Sequence, residues 1–275
     1  MRKLLYLLPV LALLFAACEK EENTIEGNGQ ENTGTSGSSD NSGNTNSSDS
    51  SSTPVGNYVD LGLSVKWATM NVGATEPEEY GDYFAWGEIE PYYEPGYAQD
   101  NQTHWKSGKE NGYSEFSYKY CNDGMTALTK YCTNSRYGYN GYTDNKMVLD
   151  PEDDAAHFNL GDSWRIPTRE EWEELNDSNN CTWTWITMKT HLNYVKGYKV
   201  QSKKIGYTDN WIFLPAAGYR FDSNLHLVGS SGNYWSSSLC SGNPDLARNS
   251  KFDKNKHYTN IDKRSYGFTV RPVCP

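Results

Sequence analysis

Apolar and polar residues alternate in YVDLGLSVKWATMNVG (58–73) around a Gly-Leu-Ser turn, which predicts a hairpin or two short strands. DYFAWGE (82–88) is a third candidate strand. CTWTWITM (181–188), VKGYKVQS (195–202), WIFLPAAG (211–218), NYWSSS (233–238) and YGFTVRP (266–272) read as further strands. WRIPTREEWEEL (164–175) reads as a short strand running into a helix, with Thr168 at the N-cap and Glu171 three residues on to complete a capping box. In DPEDDAAHFN (150–159), Asp150 followed by Pro151 is the order expected of an N-cap and first helical position, and the acids after them suit a helix's positive end. Gly, Pro, Asn and Tyr dominate residues 91–146, which predicts long loops on a scaffold with one helical stretch near Asp123–Cys132. Many strands with two or three short helices place the domain in the α+β class with a twisted, largely antiparallel sheet.

Composition divides the 275-residue chain into three chemistries. Residues 1–17 carry Arg2 and Lys3, an apolar stretch from Leu4 to Leu14, and the small residues Ala16 and Ala17 before Cys18. That is a secretory signal peptide, too short to span a bilayer. A Cys after two alanines resembles a bacterial lipobox, which makes Cys18 the lipid-bearing first residue of the mature chain. The acids around Lys20 (Glu19, Glu21, Glu22) resemble the export signal that sends Bacteroidetes-type lipoproteins to the outer face of the outer membrane. From residue 19 to 53 one hydrophobic residue, Ile25, stands among Ser, Asn, Gly, Thr and acids, too little apolar surface to offset the entropy of ordering. With Cys18 this stretch forms a lipidated, disordered tether over 18–53 that holds the domain on the order of 30 Å from the membrane.

The formal charge of −10 splits as +2 in residues 1–18, −6 in 19–53 and −6 in the domain, 54–275. No excess of Lys and Arg exists to neutralise phosphates, which excludes a strongly basic nucleic-acid binder. The domain holds all nine Trp and 20 of the 21 Tyr, enough aromatic surface for a sizeable core. Trp67, Trp164, Trp172, Trp183, Trp185 and Trp235 fall in predicted strands and helix and are expected to pack.

Six motifs follow one another in the domain: YVDLGLSVKWA, GDYFAWGE, WRIPTREEW, FLPAAGYR (213–220), YWSSS and GFTVRPV (267–273). In this order they resemble the Fibrobacter succinogenes major paralogous domain family, over nearly all of residues 57–275. That family is similar to Lcl C-terminal domains and, through them, to the C-type-lectin-like fold. The resemblance implies a C-type-lectin-like domain with two helices, a twisted antiparallel sheet and a long-loop region that binds ligands. Its recognisable positions here are Trp164, Arg165, Pro167, Thr168, Glu171, Trp172, Trp235 and Arg271. RIPTREEW also resembles a segment of formylglycine-generating enzymes, but their two closely spaced late cysteines are not matched by Cys240 and Cys274, 34 positions apart.

No catalytic set stands out. The five His residues lack HExxH and any paired spacing with Cys, and neither a P-loop nor a Gly-x-Ser-x-Gly elbow is present. Ser236, Ser237 and Ser238 read as packing or hydrogen-bonding residues, and Glu170 with Glu174 as an exposed helix face. Asp150, Glu152, Asp153 and Asp154 are candidate ligands for a hard cation, with helix capping as the competing explanation. The sugar-and-calcium tripeptides of classical C-type lectins are absent, and no cofactor or metal is expected. Cys121, Cys132, Cys181, Cys240 and Cys274 allow at most two disulfides, of undetermined connectivity.

The remaining candidates are the aromatic loops PYYEPGY (91–97) and RYGYNGY (136–142), which offer Tyr92, Tyr93, Tyr97, Tyr137, Tyr139 and Tyr142 as rigid, amphipathic contacts. The competing explanation is that these rings only fill space beneath the loops. The expectation is a lipid-anchored protein of the outer membrane facing the cell exterior, with a non-catalytic domain for a glycan or extracellular protein. The membrane is met only through the anchor, and no nucleic acid is bound. An enzyme acting on polysaccharide or on a cysteine substrate, and a structural subunit of a surface appendage, are the alternatives. Replacing Cys18 with Ser is expected to abolish incorporation of radiolabelled palmitate and to move the domain from membrane to soluble fractions. Protease shaving of intact cells is expected to remove the domain; protection until lysis overturns surface display.

Overall fold

Three small antiparallel sheets and a two-stranded hairpin carry the fold in a computed structural model, which describes residues 58–100, 104–122, 127–190 and 193–275. The signal segment, Cys18 and the tether lie outside the described residues. The first sheet joins β1 (Tyr58–Val59) and β2 (Lys66–Ala68) to the last strand of the chain, β11 (Val273–Cys274), with Val273 opposite Trp67. The second runs β3 (Cys181–Lys189), β4 (Tyr194–Ser202), β5 (Trp211–Pro215). The hairpin is β6 (Tyr219–Phe221) with β7 (Asn224–His226). The third sheet is β8 (Ser231–Leu239), β9 (Leu246–Asp253) and β10 (Lys256–Lys263), with β9 central.

Two short α-helices complete the elements. Helix α2 (Arg169–Asn176) begins at the expected capping box: Thr168 Oγ1 accepts from the Glu171 amide, and the Glu171 carboxylate accepts from the Thr168 amide. It buries Trp172 and Leu175, and the Trp172 ring packs 4.7 Å from Trp67 and 5.8 Å from Tyr234. Helix α1 (Ala155–Leu160) starts later than the Asp150–Pro151 signal predicts. Pro151–Asp153 forms one 3-10 turn instead, and Asp154 is the true cap, accepting from the Ala156 and His157 amides. Asp154 also takes the Ile166 amide, so one carboxylate both caps α1 and fixes the entry to α2.

Other expectations need correction. DYFAWGE is not a strand: Phe84 makes one isolated bridge to Phe268 and the segment is otherwise irregular. YGFTVRP likewise pairs only through bridges at Gly267, Phe268 and Thr269, and residues 267–272 are buried throughout as core. The helical stretch near Asp123–Cys132 lies partly outside the described residues, and 127–132 is bend with an isolated bridge at Leu128. Both β9 and β10 were not foreseen, since LARNSKFD and KHYTNIDK carry few apolar residues; one face of this pair rests under α2.

Residues 69–150 contain no strand among those described, so their backbone groups need other partners. Buried side chains supply them. Phenols donate to backbone carbonyls of this stretch: Tyr113 to Tyr83 (2.5 Å), Tyr118 to Trp86 (2.6 Å), Tyr120 to Gly87 (3.1 Å). Three fully buried arginines do the same on a larger scale. Arg264 donates to the carbonyls of Lys130, Tyr131 and Pro244 and to the Tyr118 hydroxyl, among the rings of Trp86, Tyr118, Tyr120 and Tyr131. Arg220 donates to the carbonyls of Tyr97, Ala98 and Asp100, against Tyr83, Tyr93 and Trp105. Arg271 holds the carbonyls of Ala68, Thr69 and Phe213 and the Asn71 side chain, each at 2.9 Å.

Removing the Arg271 guanidinium strands three buried acceptors, on Ala68, Asn71 and Phe213, each worth about 1–3 kcal/mol unpaired. Arg271→Leu is therefore expected to lose at least about 3 kcal/mol or to fail to fold, and Arg271→Lys, which keeps one donor group, to lose less. Urea unfolding followed by tryptophan fluorescence checks the order of the three proteins.

Candidate functional site

The aromatic loops divide into inward and outward residues. Tyr92 and Tyr93 are buried, at 1% and 2% exposure, and so present no ring to a ligand. Tyr92 stacks on Tyr113 with centroids 4.3 Å apart and donates to Glu88; Tyr93 takes the Tyr83 amide at 2.7 Å. Their role is the space-filling one, because the loop around them has no strand ladder to hold it. Tyr97 is partly exposed and stacks on His104 at 3.6 Å. Tyr137 is half-buried, while Tyr139 and Tyr142 reach solvent in and just after the 3-10 turn Tyr139–Gly141. These three share one loop, apart in sequence from Tyr97.

The acids of 150–154 do come together, but around lysines. Carboxylate oxygens of Asp150, Glu152 and Asp153 lie within 4.8 Å of one another. Lys130 Nζ stands among them, 2.7 Å from Asp150, 3.3 Å from Glu152 and 2.5 Å from Asp153. Lys146 also pairs with Asp150, and Lys119 with Asp153. The ammonium of Lys130 thus sits where a cation ligated by these acids would. Burial alone would raise the Asp153 carboxyl, but hydrogen bonds from Lys130, Tyr120, Tyr131 and Lys119 outweigh it and bring the group down to about 2. Asp154, turned into the protein as a cap, is pushed up by burial.

The motif residues are structural throughout. Arg165 grips Glu171 with two bonds of 2.5 and 2.8 Å. The Pro167 carbonyl accepts the Ser237 amide at 2.8 Å, and the indole N–H groups of Trp172 and Trp235 donate to the carbonyls of Trp235 and Phe84. Trp164 is buried against Ala68 and Cys274. Ser236 and Ser237 donate to the Arg248 and Pro167 carbonyls, and Ser238 accepts the Arg169 amide, as hydrogen-bonding residues should. Glu174 accepts from the amide and hydroxyl of Ser64, closing the loop between β1 and β2. No disulfide joins the five cysteines; burial pushes the thiols of Cys121 and Cys181 up to about 11, far from the thiolate a nucleophile needs.

The concavity best suited to a ligand lies elsewhere. A cleft of about 760 Å³ opens between the loop 75–80, the turn joining β3 to β4, and Val228. Glu79 folds the loop: its Oε2 accepts from the Thr75 amide at 2.7 Å and hydroxyl at 3.0 Å, and the Thr75 amide bond holds its carboxyl below the usual range. The turn is closed by Thr190 and Asn193, each amide bonding to the other residue at 2.8 Å. Tyr194, 72% exposed, rises from this turn as the cleft's free aromatic ring. Glu76 and Glu78 supply acceptors, Lys189 a donor, and Val195 and Val228 an apolar contact. The lining is mainly polar, with Tyr194, Val195 and Val228 as its apolar contacts, which suits a ligand held by hydrogen bonds against one aromatic contact. Sequence reasoning missed it because its first wall, 75–80, lies over 100 residues before the other two, 189–195 and Val228; Glu-Pro-Glu-Glu-Tyr (76–80) was the local signal.

Compared with known family models, curated proteins and solved structures, the chain matches none.

Asp153 is held ionised in the folded state well below its ordinary value of about 3.9, so its contribution is complete above pH about 4 and is lost as pH falls towards 2. The Asp153→Asn variant is therefore expected to be less stable than the parent by about 2 kcal/mol at neutral pH, with the difference shrinking below pH 4. Urea midpoints measured from pH 2 to 7 check this, and a difference independent of pH overturns it.

Proposed function

We propose that residues 54–275 form a C-type-lectin-like, non-catalytic ligand-binding domain, displayed outside the cell by a lipid on Cys18 and a flexible tether. The observation that carries the binding role is the 760 Å³ cleft, with the exposed Tyr194 ring and carboxylate acceptors of Glu76 and Glu78 on its rim. An amphipathic ring beside hydrogen-bonding groups serves a glycan or an extended peptide equally. Antiparallel sheets, two short helices and a long-loop region are in keeping with the lectin-like fold that the sequence motifs suggest. The raised thiols of Cys121 and Cys181 and the hydrogen-bonded serines of β8 favour recognition over covalent chemistry.

Lysine-held acids at 150–153 also separate this reading from calcium-dependent sugar binding, since the protein supplies its own cations there. Binding is accordingly expected to be insensitive to calcium. Glycan and extracellular-protein arrays, probed with the full mature chain with and without calcium, test the proposal. For the ligand found, Tyr194→Ala and Glu78→Gln are expected to weaken binding about tenfold, or about 1.4 kcal/mol, without lowering the melting temperature. Unchanged affinity in both variants overturns the cleft, and turnover of an arrayed substrate overturns the non-catalytic role.

A further inference from the structure

Strict alternation in the β6–β7 hairpin sends Arg220 and Leu225, a facing pair, to one side and Tyr219, Phe221 and His226 to the other. Arg220 is wholly buried, so the aromatic side is the outer one. An outer hairpin face is ordinarily polar; this one carries three rings and a single exposed amide, Asn224, opposite Phe221. Tyr219 lies 5.2 Å from His226 and 6.0 Å from Tyr266, and Tyr266 lies 5.0 Å from Phe221. Phe221 is 36% exposed. The row is backed by Phe268, itself buried and stacked 4.2 Å from Trp235, so the platform is rigid before any ligand arrives.

Polar groups stand next to it. Asp262, near the end of β10, accepts amide N–H bonds from Asn249 at 3.1 Å and Asn260 at 2.9 Å, both on the same oxygen, Oδ2. Its other oxygen has room for a further donor. Asn249 is 1% exposed, so it holds the carboxylate from inside the fold and is itself out of a ligand's reach. The carboxylate belongs to the same neighbourhood as the rings: the Tyr266 amide donates to the Lys263 carbonyl at 3.0 Å, so one tight turn separates Tyr266 from Asp262, and burial and then the charge of Asp262 push the Tyr266 phenol up.

We infer that the outer face of the β6–β7 hairpin, with Tyr266 and the Asp262 carboxylate, is a second binding site, for a neutral saccharide. A pyranose presents C–H groups that lie against aromatic rings and hydroxyls that donate to the Asp262 carboxylate, so it satisfies both halves of this surface. An apolar protein segment would cover the rings and leave the carboxylate stranded. The site uses none of the cleft residues, so either can fail without the other.

Affinity electrophoresis of the full mature chain through gels containing hydroxyethyl cellulose, xylan, galactomannan or laminarin tests the inference. At least one polysaccharide is expected to retard the protein. Phe221→Ser and Asp262→Ala are then expected to raise the dissociation constant about tenfold or more, and Tyr266→Phe, which keeps the ring, to change it less than about threefold. Retardation by none of the four, or unchanged retardation of folded Phe221→Ser and Asp262→Ala proteins, overturns it. Retardation lost in Tyr194→Ala but kept in Phe221→Ser assigns the saccharide to the cleft and also overturns it. Should the variants unfold, hydrogen exchange on the unaltered protein decides: protection by the retarding polysaccharide at 219–226 and 258–266 supports the site, and protection confined to other segments refutes it.

Discussion

Hydrogen bonding from buried guanidinium groups to backbone carbonyls is the constraint on which this fold rests. A stretch from residue 69 to 150 with no strand among the described residues has too few ladder bonds to satisfy its own backbone. Arg220, Arg264 and Arg271 each gather several carbonyls from segments distant in sequence. Burying a charge is expensive, and these three offset the cost differently. Arg264 and Arg220 lie against aromatic rings, where the ring faces attract the cation. Arg271 has only neutral acceptors, and burial lowers it to about 10, still high enough to remain charged at neutral pH.

That constraint explains the tyrosine content better than recognition does. A phenol fills a core position and still carries a donor to its rim, so it suits loops that must be packed and hydrogen-bonded at once. Tyr83, Tyr113, Tyr118 and Tyr131 all work in this way. Two glycines show how closely the rings approach the backbone: a Cβ at Gly267 would fall 2.7 Å from the Tyr113 ring, and one at Gly232 would fall 2.1 Å from Phe252. Rings without such a duty are those that reach solvent, among them Tyr194 in the cleft and Phe221 on the hairpin.

Local patterns carried the parts of the fold governed by local physics. The Thr168–Glu171 capping box and the strands at 181–188 and 195–202 were readable, because each depends on residues within a few positions of one another. The strand predicted at 82–88 failed because tertiary contacts overrode its propensity: Trp86 and Phe84 are spent on the core and on carbonyls of β8 and the 264–268 segment. The polar strands β9 and β10 were illegible for the opposite reason, their pairing being set by the helix and sheet around them. Tyr92 and Tyr93 looked like contact residues because Pro and Gly surround them; burial depends on Arg220 and Tyr113, which no spacing reveals.

The distribution of charge bears on what the domain can recognise. Acids that might have formed a metal site are consumed: Asp153 by Lys130 and two phenols, Glu171 by Arg165, Glu88 by Lys109 and Tyr92. Each of these pairs fastens one loop to another, and none leaves a bare carboxylate cluster. Accepting capacity remains on Glu76 and Glu78 at the rim of the cleft beside Tyr194, and on Asp262 beside the hairpin. Acceptors beside a ring, with no further acids gathered into a cage, suit a ligand that presents hydroxyl donors on an apolar skeleton. The charges spent inside the fold are thus in keeping with an uncharged, polyhydroxylated partner.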